Sequence, residues 1–269
     1  MLLDFPHVAW DDPDALEAMI IAQGPATIAA FVAEPIIGAA GGVLYPPEDY
    51  FSEVAEICRR YGVLLIVDEV MSGFGRAGRN FAIDHWGVVP DILYGGKGLG
   101  GGYAAVSGVF ASEAVVAPLA SAGHTFMFFT FGAQSTHCAV AERVLRIMED
   151  ENLVERSAKL GTVLKSRLDE ALGDHPHVAE VRGGLGLWAG VELVERRDPH
   201  TWYPAGAGFA AAVSAQAMSR DVWIYPSGSG DPVQDAVMIG PPFTITEAEI
   251  DRIVATLRDS IDAAAAQLD

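Results

Sequence analysis

Basic residues are scarce in this chain of 269 residues, where 17 Lys and Arg stand against 36 Asp and Glu and the formal net charge is −19 at pH 7. A surface of that sign repels the phosphate backbone of nucleic acids and the anionic surface of membranes. We therefore expect neither a nucleic acid nor a membrane as a partner.

Cysteines and long apolar runs are rare as well. The two cysteines, Cys58 and Cys138, lie in no CxxC pair and in no Cys/His cluster with metal-ligand spacing, which argues against a disulfide framework and a bound metal. Gly, Pro or charged residues interrupt the apolar stretches within a few residues, and residues 1–6 lack the basic and apolar regions of an export signal. The sequence therefore predicts a cytoplasmic protein.

The overall composition is that of a globular protein. Hydrophobic residues make up 51% of the chain and charged residues 20%, alongside 29 Gly and 15 Pro. These proportions exclude intrinsic disorder, collagen-like repeats and coiled coil. A chain of this length forms one large α/β domain or two modest domains.

Strand and helix patterns alternate in the first half of the chain. Apolar runs predict strands at residues 27–33, 63–67, 92–94 and 106–111. The apolar spacing of residues 46–61, followed by Gly62, predicts a helix. Because the run at 63–67 is unbroken, it indicates a central parallel strand covered on both faces. We expect an α/β fold with a doubly wound, mainly parallel sheet.

The second half has a different organisation. Apolar residues fall on one helical face at 139–148 and again at 160–172. Further runs predict strands at residues 178–181, 187–193, 222–225 and 237–239. A capping-box pattern at Thr246 predicts that a final helix spans residues 246–268. We expect a larger domain at 1–152 and a small C-terminal α+β domain at 153–269, which includes the connecting helix.

Three ionisable residues follow the apolar runs of the first half: Glu34, Asp68 and Lys97. Ligands of open α/β sheets bind outside the carboxyl ends of the strands, so we expect these side chains to face a common crevice. The glycines among residues 95–102 let a planar ligand approach the backbone near Lys97. Two other interpretations stay open, in which Lys97 is a solvated loop residue and Asp68 is a helix N-cap.

A lysine and a carboxylate at neighbouring strand ends suit pyridoxal phosphate chemistry. The lysine forms an imine with the cofactor aldehyde and later moves protons at the substrate carbon. The carboxylate keeps the pyridine nitrogen protonated so that the ring accepts electrons.

The motifs of the chain resemble those of a known family. They are FVAEP at 31–35, GVLLIVDEVMSGFGRAG at 62–78, PDI at 90–92, GKG at 96–98, HTF at 124–126, TFG at 130–132, VRGGLG at 181–186, GVE at 190–192 and GPPFTIT at 240–246. In order and spacing they are similar to the class III (omega) aminotransferases, a branch of the fold-type I pyridoxal phosphate enzymes. The resemblance covers nearly the whole chain.

This resemblance implies a role for each of five residues. Lys97 corresponds to the Schiff-base lysine, Asp68 to the partner of the pyridine nitrogen, and Val70 to a residue that packs on the ring. Thr130 corresponds to the residue that reaches the cofactor phosphate from the neighbouring subunit, which implies a homodimer. Glu34 corresponds to a glutamate near the substrate, with a buried structural carboxylate as the alternative.

The implied activity is transfer of an amino group between an amine or amino acid and a keto acid or aldehyde, with pyridoxal 5'-phosphate as cofactor. Sister reactions on the same fold, by an aminomutase, a racemase or a decarboxylating transaminase, are the alternatives within the family.

Two departures from the family pattern affect these expectations. Many members place an arginine before the Pro-Pro segment to hold a substrate carboxylate, whereas residues 225–240 contain no Arg or Lys. Either Arg76 or Arg182 takes that part, or the recognised end of the substrate is neutral. At the next position after Val70, where some members carry glutamine, this chain has Met71.

The second departure is in length, since full members extend further at the N-terminus. The resemblance therefore implies only the remainder of the large cofactor-binding domain at 1–152. A split or truncated half-enzyme, inactive without a separate N-terminal polypeptide, is the alternative to an enzyme that works alone. A sheet that lacks several strands would leave an edge and an apolar face exposed.

Overall fold

The computed structural model describes residues 5–124, 129–204, 206–228 and 235–267. Contacts between residues divide the chain into two compact units. The first unit comprises residues 1–35, 46–74 and 81–150, and the second comprises residues 36–45, 75–80 and 151–269. The division at residue 152 into a cofactor domain and a small domain stays a prediction.

The first unit begins with helices that have clear capping residues. Helix α1 spans Pro13–Gln23, and the Asp12 carboxylate accepts a 3.0 Å hydrogen bond from the Ala15 N–H at its start. Helix α2 spans Tyr50–Tyr61 and ends at Gly62, as predicted, because Gly62 adopts a φ of 68° that glycine tolerates best. Two further helices, α3 and α4, span Glu113–Ser121 and Ser135–Asp150.

The sheet of the first unit contains the four predicted strands. They are β1 (Ala30–Ala33), β2 (Leu64–Asp68), β3 (Ile92–Gly95) and β4 (Gly108–Ala111), in the order β1-β2-β3-β4. Strands β1, β2 and β3 are parallel, and β4 is antiparallel to β3. The predicted mainly parallel sheet is therefore confirmed.

The two faces of this sheet differ in burial. Leu65 and Val67 are 3% and 0% exposed and pack in a cluster with residues of α1 and α2. On the other face Leu64 and Ile66 are half-buried, and Val32 and Val109 are 53% and 72% exposed. The run at 63–67 is therefore not fully covered on both faces, although its composition alone suggested that it would be.

The second unit is an α+β arrangement, as predicted. Its elements are α5 (Leu153–Leu172), β5 (Val178–Gly184), β6 (Gly186–Leu193), α6 (Phe209–Met218), β7 (Tyr225–Ser227), β8 (Ala236–Ile239) and α7 (Glu247–Ala265). The strands form an antiparallel sheet in the order β5-β6-β8-β7. The strand predicted at 222–225 lies slightly later in the chain, at β7.

The core of the second unit joins α5, α6 and α7 to this sheet. The leucines of α5 at the predicted spacing are all buried: Leu160, Leu164, Leu168 and Leu172. Burial of each leucine side chain contributes about 2 kcal/mol. Every residue of β6 is buried, so this strand is covered on both of its faces. Position 190 of β6 requires glycine, because a Cβ added there would lie 1.8 Å from the Gly42 carbonyl oxygen.

Helix α7 begins as its sequence predicted. The Thr246 N–H donates to Glu249 Oε2 at 2.8 Å, and the Glu249 N–H donates to Thr246 Oγ1 at 3.3 Å. This reciprocal pair is a capping box. The helix ends at Ala265, three residues before the predicted end at residue 268. Positions 125 and 126 of the HTF motif lie outside the described residues. None of the described helices is both long and apolar enough to cross a membrane.

Candidate active site

Asp68 is the last residue of β2, and each of its carboxylate oxygens accepts a hydrogen bond. The Val70 N–H donates to Oδ1 at 2.9 Å, and the Tyr94 hydroxyl donates to Oδ2 at 2.9 Å. Tyr94 lies on the neighbouring strand β3, in register with Asp68. The residues that follow Asp68 form a series of turns and not a helix, so the helix N-cap interpretation of Asp68 is wrong.

Lys97 follows β3 and opens the short 3-10 turn Lys97–Leu99. Its φ of 39° lies in the left-handed region, which costs a residue with a side chain about 1 kcal/mol. Such backbone conformations concentrate at functional sites. The side chain is exposed, and its Nζ atom contacts the sulfur atom of Met71.

Met71 connects Lys97 to the surroundings of Asp68. Met71 follows Val70 in the turn after β2, and the Val70 N–H is the group that binds Asp68 Oδ1. Val70 is half-buried in this turn. Lys97, Val70 and Asp68, three of the residues predicted from the sequence, therefore lie in one neighbourhood of the first unit.

Glu34 follows β1 and is half-buried. Burial raises the pKa of Tyr94 to about 12, together with the Asp68 hydrogen bond and the negative charges of Asp68 and Glu34. Strand β1 is parallel to β2, with Ala33 in register with Val67, so Glu34 and Asp68 lie at the same edge of the sheet. Glu34 follows β1, Asp68 ends β2 and Tyr94 lies on β3. The three residues thus lie in a common region, as expected for parallel strands.

Glu69 follows Asp68 in the chain, but its side chain is enclosed by protein groups and has a structural role. Its side chain is buried, accepts a hydrogen bond from the Ser72 hydroxyl, and accepts another from the Ile83 N–H at 2.8 Å. Burial raises the pKa of this carboxyl above its usual value. Glu69 therefore ties the turn after β2 to the segment around Ile83.

Thr130 lies in a turn of the first unit and is exposed. Within the described part of the chain, no hydrogen bond joins Thr130 to Lys97 or Asp68.

Arg182, one of the two arginines considered for a substrate carboxylate, has protein partners in the second unit. Its Nε atom donates to Glu180 at 2.7 Å, and one terminal nitrogen donates to the Gly41 carbonyl at 3.0 Å. The other terminal nitrogen pairs with the carboxylate of Glu192. Two carboxylates neutralise Arg182, so it holds the fold of the second unit together.

Arg76 is the other arginine, and it has different partners. One of its terminal nitrogens donates to the carbonyls of Leu187 and Pro241, at 2.6 and 2.8 Å. The guanidinium also lies 4.6 Å from the centre of the Phe243 ring. Burial lowers the pKa of Arg76 to about 10. These contacts are all within the second unit, and among the described residues no carboxylate pairs with Arg76.

Tyr94 is the residue of this site that sequence reasoning did not find. It ends the apolar run at 92–94, where it is indistinguishable from a strand residue with a packing role. The parallel register between β2 and β3 places it beside Asp68, and register cannot be read from one strand alone.

Comparison with known proteins identifies the family. The model of the class III aminotransferase family matches residues 11–261. The chain belongs to the class III aminotransferase family. It is 38% identical over 263 residues to an uncharacterised aminotransferase of Bacillus subtilis, a match that covers 97% of this chain and 58% of the relative. It is also 38% identical over 250 residues to the taurine–pyruvate aminotransferase of Rhodobacter capsulatus, with 91% of this chain and 54% of the relative covered.

A solved transaminase from the marine bacterium Virgibacillus has the same fold as this class III aminotransferase chain. The TM-score is 0.94 at 33% sequence identity, and the match covers 100% of this chain and 62% of that structure. The class III aminotransferase chain thus spans a little over half the length of the curated relatives it matches.

Proposed function

We propose that this chain is part of a pyridoxal 5'-phosphate-dependent aminotransferase in which Lys97 holds the cofactor covalently and Asp68 pairs with its pyridine nitrogen. One observation supports this most directly: the Lys97 amine contacts Met71 in the same turn whose Val70 N–H fixes the Asp68 carboxylate. Membership of the class III family is independent support.

The chemistry of these side chains fits such a cofactor. A primary amine condenses with an aldehyde, and the Lys97 side chain is exposed. Each oxygen of Asp68 accepts one hydrogen bond, from Val70 or from Tyr94, and keeps capacity for a second. The Asp68 carboxylate can therefore accept the N–H of a protonated pyridine ring without losing the bonds that hold it.

Lys97 and Asp68 take different parts in the proposed reaction. When bound, pyridoxal phosphate supplies an aldehyde that captures amines and a ring that accepts electrons from the substrate carbon. Once the donor amine has replaced it on the cofactor aldehyde, the free ε-amino group of Lys97 would move a proton between the substrate carbon and the cofactor carbon. Asp68 keeps the ring nitrogen protonated, and Val70 packs beside the ring.

The proposed substrates are an amine or amino acid as donor and a keto acid or aldehyde as acceptor. Glu34 is the proposed substrate-facing residue, because it follows β1 at the edge of the sheet where β2 carries Asp68. Arg182 is not proposed to bind a substrate carboxylate, since Glu180 and Glu192 already neutralise it.

The proposed active form contains more polypeptide than one copy of this chain. Val32 and Val109 expose 53% and 72% of their surface on the same face of the sheet in the first unit. Exposed apolar surface of this kind favours association. We propose a homodimer in which Thr130 of one copy reaches the cofactor phosphate of the other, with a separate N-terminal polypeptide as the alternative partner.

The test is the first half of the proposed reaction. The chain is mixed with pyridoxal phosphate and an amine or amino-acid donor, and the release of the corresponding carbonyl product is followed. We expect product from the wild type and from Lys159→Ala, which alters an exposed lysine of α5, and none from Lys97→Ala.

The nature of the product separates the related reactions. A racemase or aminomutase releases no carbonyl compound, and a decarboxylating transaminase also releases carbon dioxide. Equal rates in the wild type and Lys97→Ala would contradict the proposal. A complete lack of product in every sample would favour the half-enzyme alternative.

A further inference from the structure

The Asp68 carboxylate is held from two directions by two different elements. The Val70 N–H binds Oδ1 from the turn after β2, and the Tyr94 hydroxyl binds Oδ2 from β3, both at 2.9 Å. The backbone bond can form with any residue except proline at position 70, because it uses a main-chain N–H. The second bond depends on the identity of residue 94.

Tyr94 is a hydrogen-bond donor to Asp68 throughout the physiological pH range. Burial raises its pKa to about 12, together with the hydrogen bond to Asp68 and the charges of Asp68 and Glu34. The hydroxyl therefore keeps its single proton, and an ionised carboxylate can only accept it. Hydrogen bonds to a charged group are stronger than those between neutral groups, so this one restricts the carboxylate rotation.

Asp68 and Tyr94 lie on the less buried face of the sheet. The register pairs Asp68 with Tyr94, and Tyr94 with Val109 on β4. Residues paired in this way point to the same face, and Val109 is 72% exposed. Asp68 is itself half-buried on this face, so a ligand can approach it while Tyr94 holds the carboxylate from the side.

We infer that Tyr94 is the positioning residue for Asp68: its hydroxyl fixes the carboxylate in the orientation that receives the pyridine N–H of the cofactor. This inference rests on the proposed function. Tyr94 itself makes no bond to the cofactor in this account, and it acts only through Asp68. Its removal should weaken cofactor binding and alter the protonation of the cofactor ring.

The experiment uses Tyr94→Phe, which removes the hydroxyl and keeps the ring. The matched control is Tyr61→Phe, since the Tyr61 hydroxyl also donates a 2.9 Å hydrogen bond to a carboxylate, that of Glu17, in the same unit but on α2. The dissociation constant of pyridoxal phosphate is measured for the wild-type chain and both variants. The visible absorption of the bound cofactor is then titrated with pH.

We expect Tyr94→Phe to bind pyridoxal phosphate about ten-fold more weakly, from the loss of one charge-assisted hydrogen bond. The pH at the midpoint of the spectral titration should rise. Without the Tyr94 hydroxyl, Asp68 holds the ring proton less firmly, and a less protonated ring withdraws less electron density from the nitrogen that links the cofactor to Lys97. Tyr61→Phe should match the wild type in both measurements. A role of Tyr94 in folding alone would lower the unfolding temperature without moving the spectral midpoint.

A double-mutant cycle with Asp68→Asn gives a second, independent arm. If Tyr94 acts through Asp68, loss of the Tyr94 hydroxyl should change cofactor affinity much less in the Asp68→Asn background than in the wild type. The same ten-fold loss in both backgrounds would overturn the inference. Wild-type affinity and an unchanged midpoint in Tyr94→Phe, with the cofactor on Lys97, would overturn it and leave the proposed function intact. A wild-type chain that carries no cofactor on Lys97 would overturn both.

Discussion

Arg182 and Glu192 form an ion pair inside the second unit, with 7% and 11% of their side chains exposed. Arg182 lies on β5 and Glu192 on the neighbouring strand β6. The carbonyls of Gly41 and Gly42 accept further hydrogen bonds from the same guanidinium. These contacts join two strands to the segment before Tyr45. The arginine of the VRGGLG motif at 181–186 therefore has a structural role and is not needed there to bind a substrate.

Removal of Arg182 should therefore destabilise the second unit strongly. Arg182→Ala leaves the Glu192 carboxylate buried without a cation, and loss of one partner of a buried pair costs about 3–5 kcal/mol. Arg143→Ala is the control, because Arg143 and Asp150 are 66% and 70% exposed and such pairs contribute at most about 1 kcal/mol. Urea unfolding followed by circular dichroism compares the two variants. Equal unfolding midpoints for them would show that Arg182 has no such role.

Glu69 should make the stability of the first unit depend on pH. Burial raises the pKa of its carboxyl above the usual 4.5, so the folded state holds the proton more tightly than the unfolded state. Its favourable contribution is therefore complete below about pH 4.5 and is lost as the pH rises through the folded-state pKa. Relative to the wild type, Glu69→Gln should become more stable as the pH increases.

Unfolding of wild type, Glu69→Gln and Glu69→Ala at several pH values measures this effect. Glu69→Ala leaves the Ile83 N–H without its partner and should cost about 1–3 kcal/mol, with the same trend with pH as Glu69→Gln because it also lacks the titrating carboxyl. Glu53→Gln, at an exposed position of α2, is the matched control and should track the wild type. A stability difference between Glu69→Gln and wild type that stays constant with pH would refute this assignment.

Gly161 should be intolerant of alanine, although it lies within a helix. Alanine normally stabilises a helix by about 1 kcal/mol relative to glycine. At this position of α5, an added Cβ would lie 1.9 Å from the Gly186 carbonyl oxygen, and overpacking of this kind costs about 1–3 kcal/mol or more. Gly240→Ala is the control, because nothing lies within 4 Å of its added Cβ. A thermal unfolding temperature for Gly161→Ala at or above that of Gly240→Ala would contradict this expectation.

Local sequence signals predicted part of the fold well. Gly62 and Thr246 marked the end of α2 and the start of α7, because capping depends on neighbouring residues. The start of α2 was predicted too early, at residue 46, because Pro47 disfavours helical conformation in the residue before it. Helix α6, at Phe209–Met218, was not predicted, since half of its residues are Ala and its sequence has no amphipathic period.

Features that depend on distant residues could not be predicted. The antiparallel direction of β4 and the incomplete cover of the face that carries Ile66 depend on what lies beside the sheet. Lys97 and Asp68 could be found because each follows an apolar run. Strand register brings Tyr94 to Asp68 and Glu192 to Arg182. A single sequence does not reveal that register.

The proposed role of Lys97 is tested by mapping the lysine that carries the cofactor. The chain contains three lysines, Lys97, Lys159 and Lys165, and the latter two lie on α5. The purified chain is incubated with pyridoxal phosphate, reduced with borohydride, digested and examined by mass spectrometry, with Lys97→Ala as control. We expect a label on Lys97 and none in Lys97→Ala. Labelling spread equally over the three lysines, or absent from Lys97, would contradict that role.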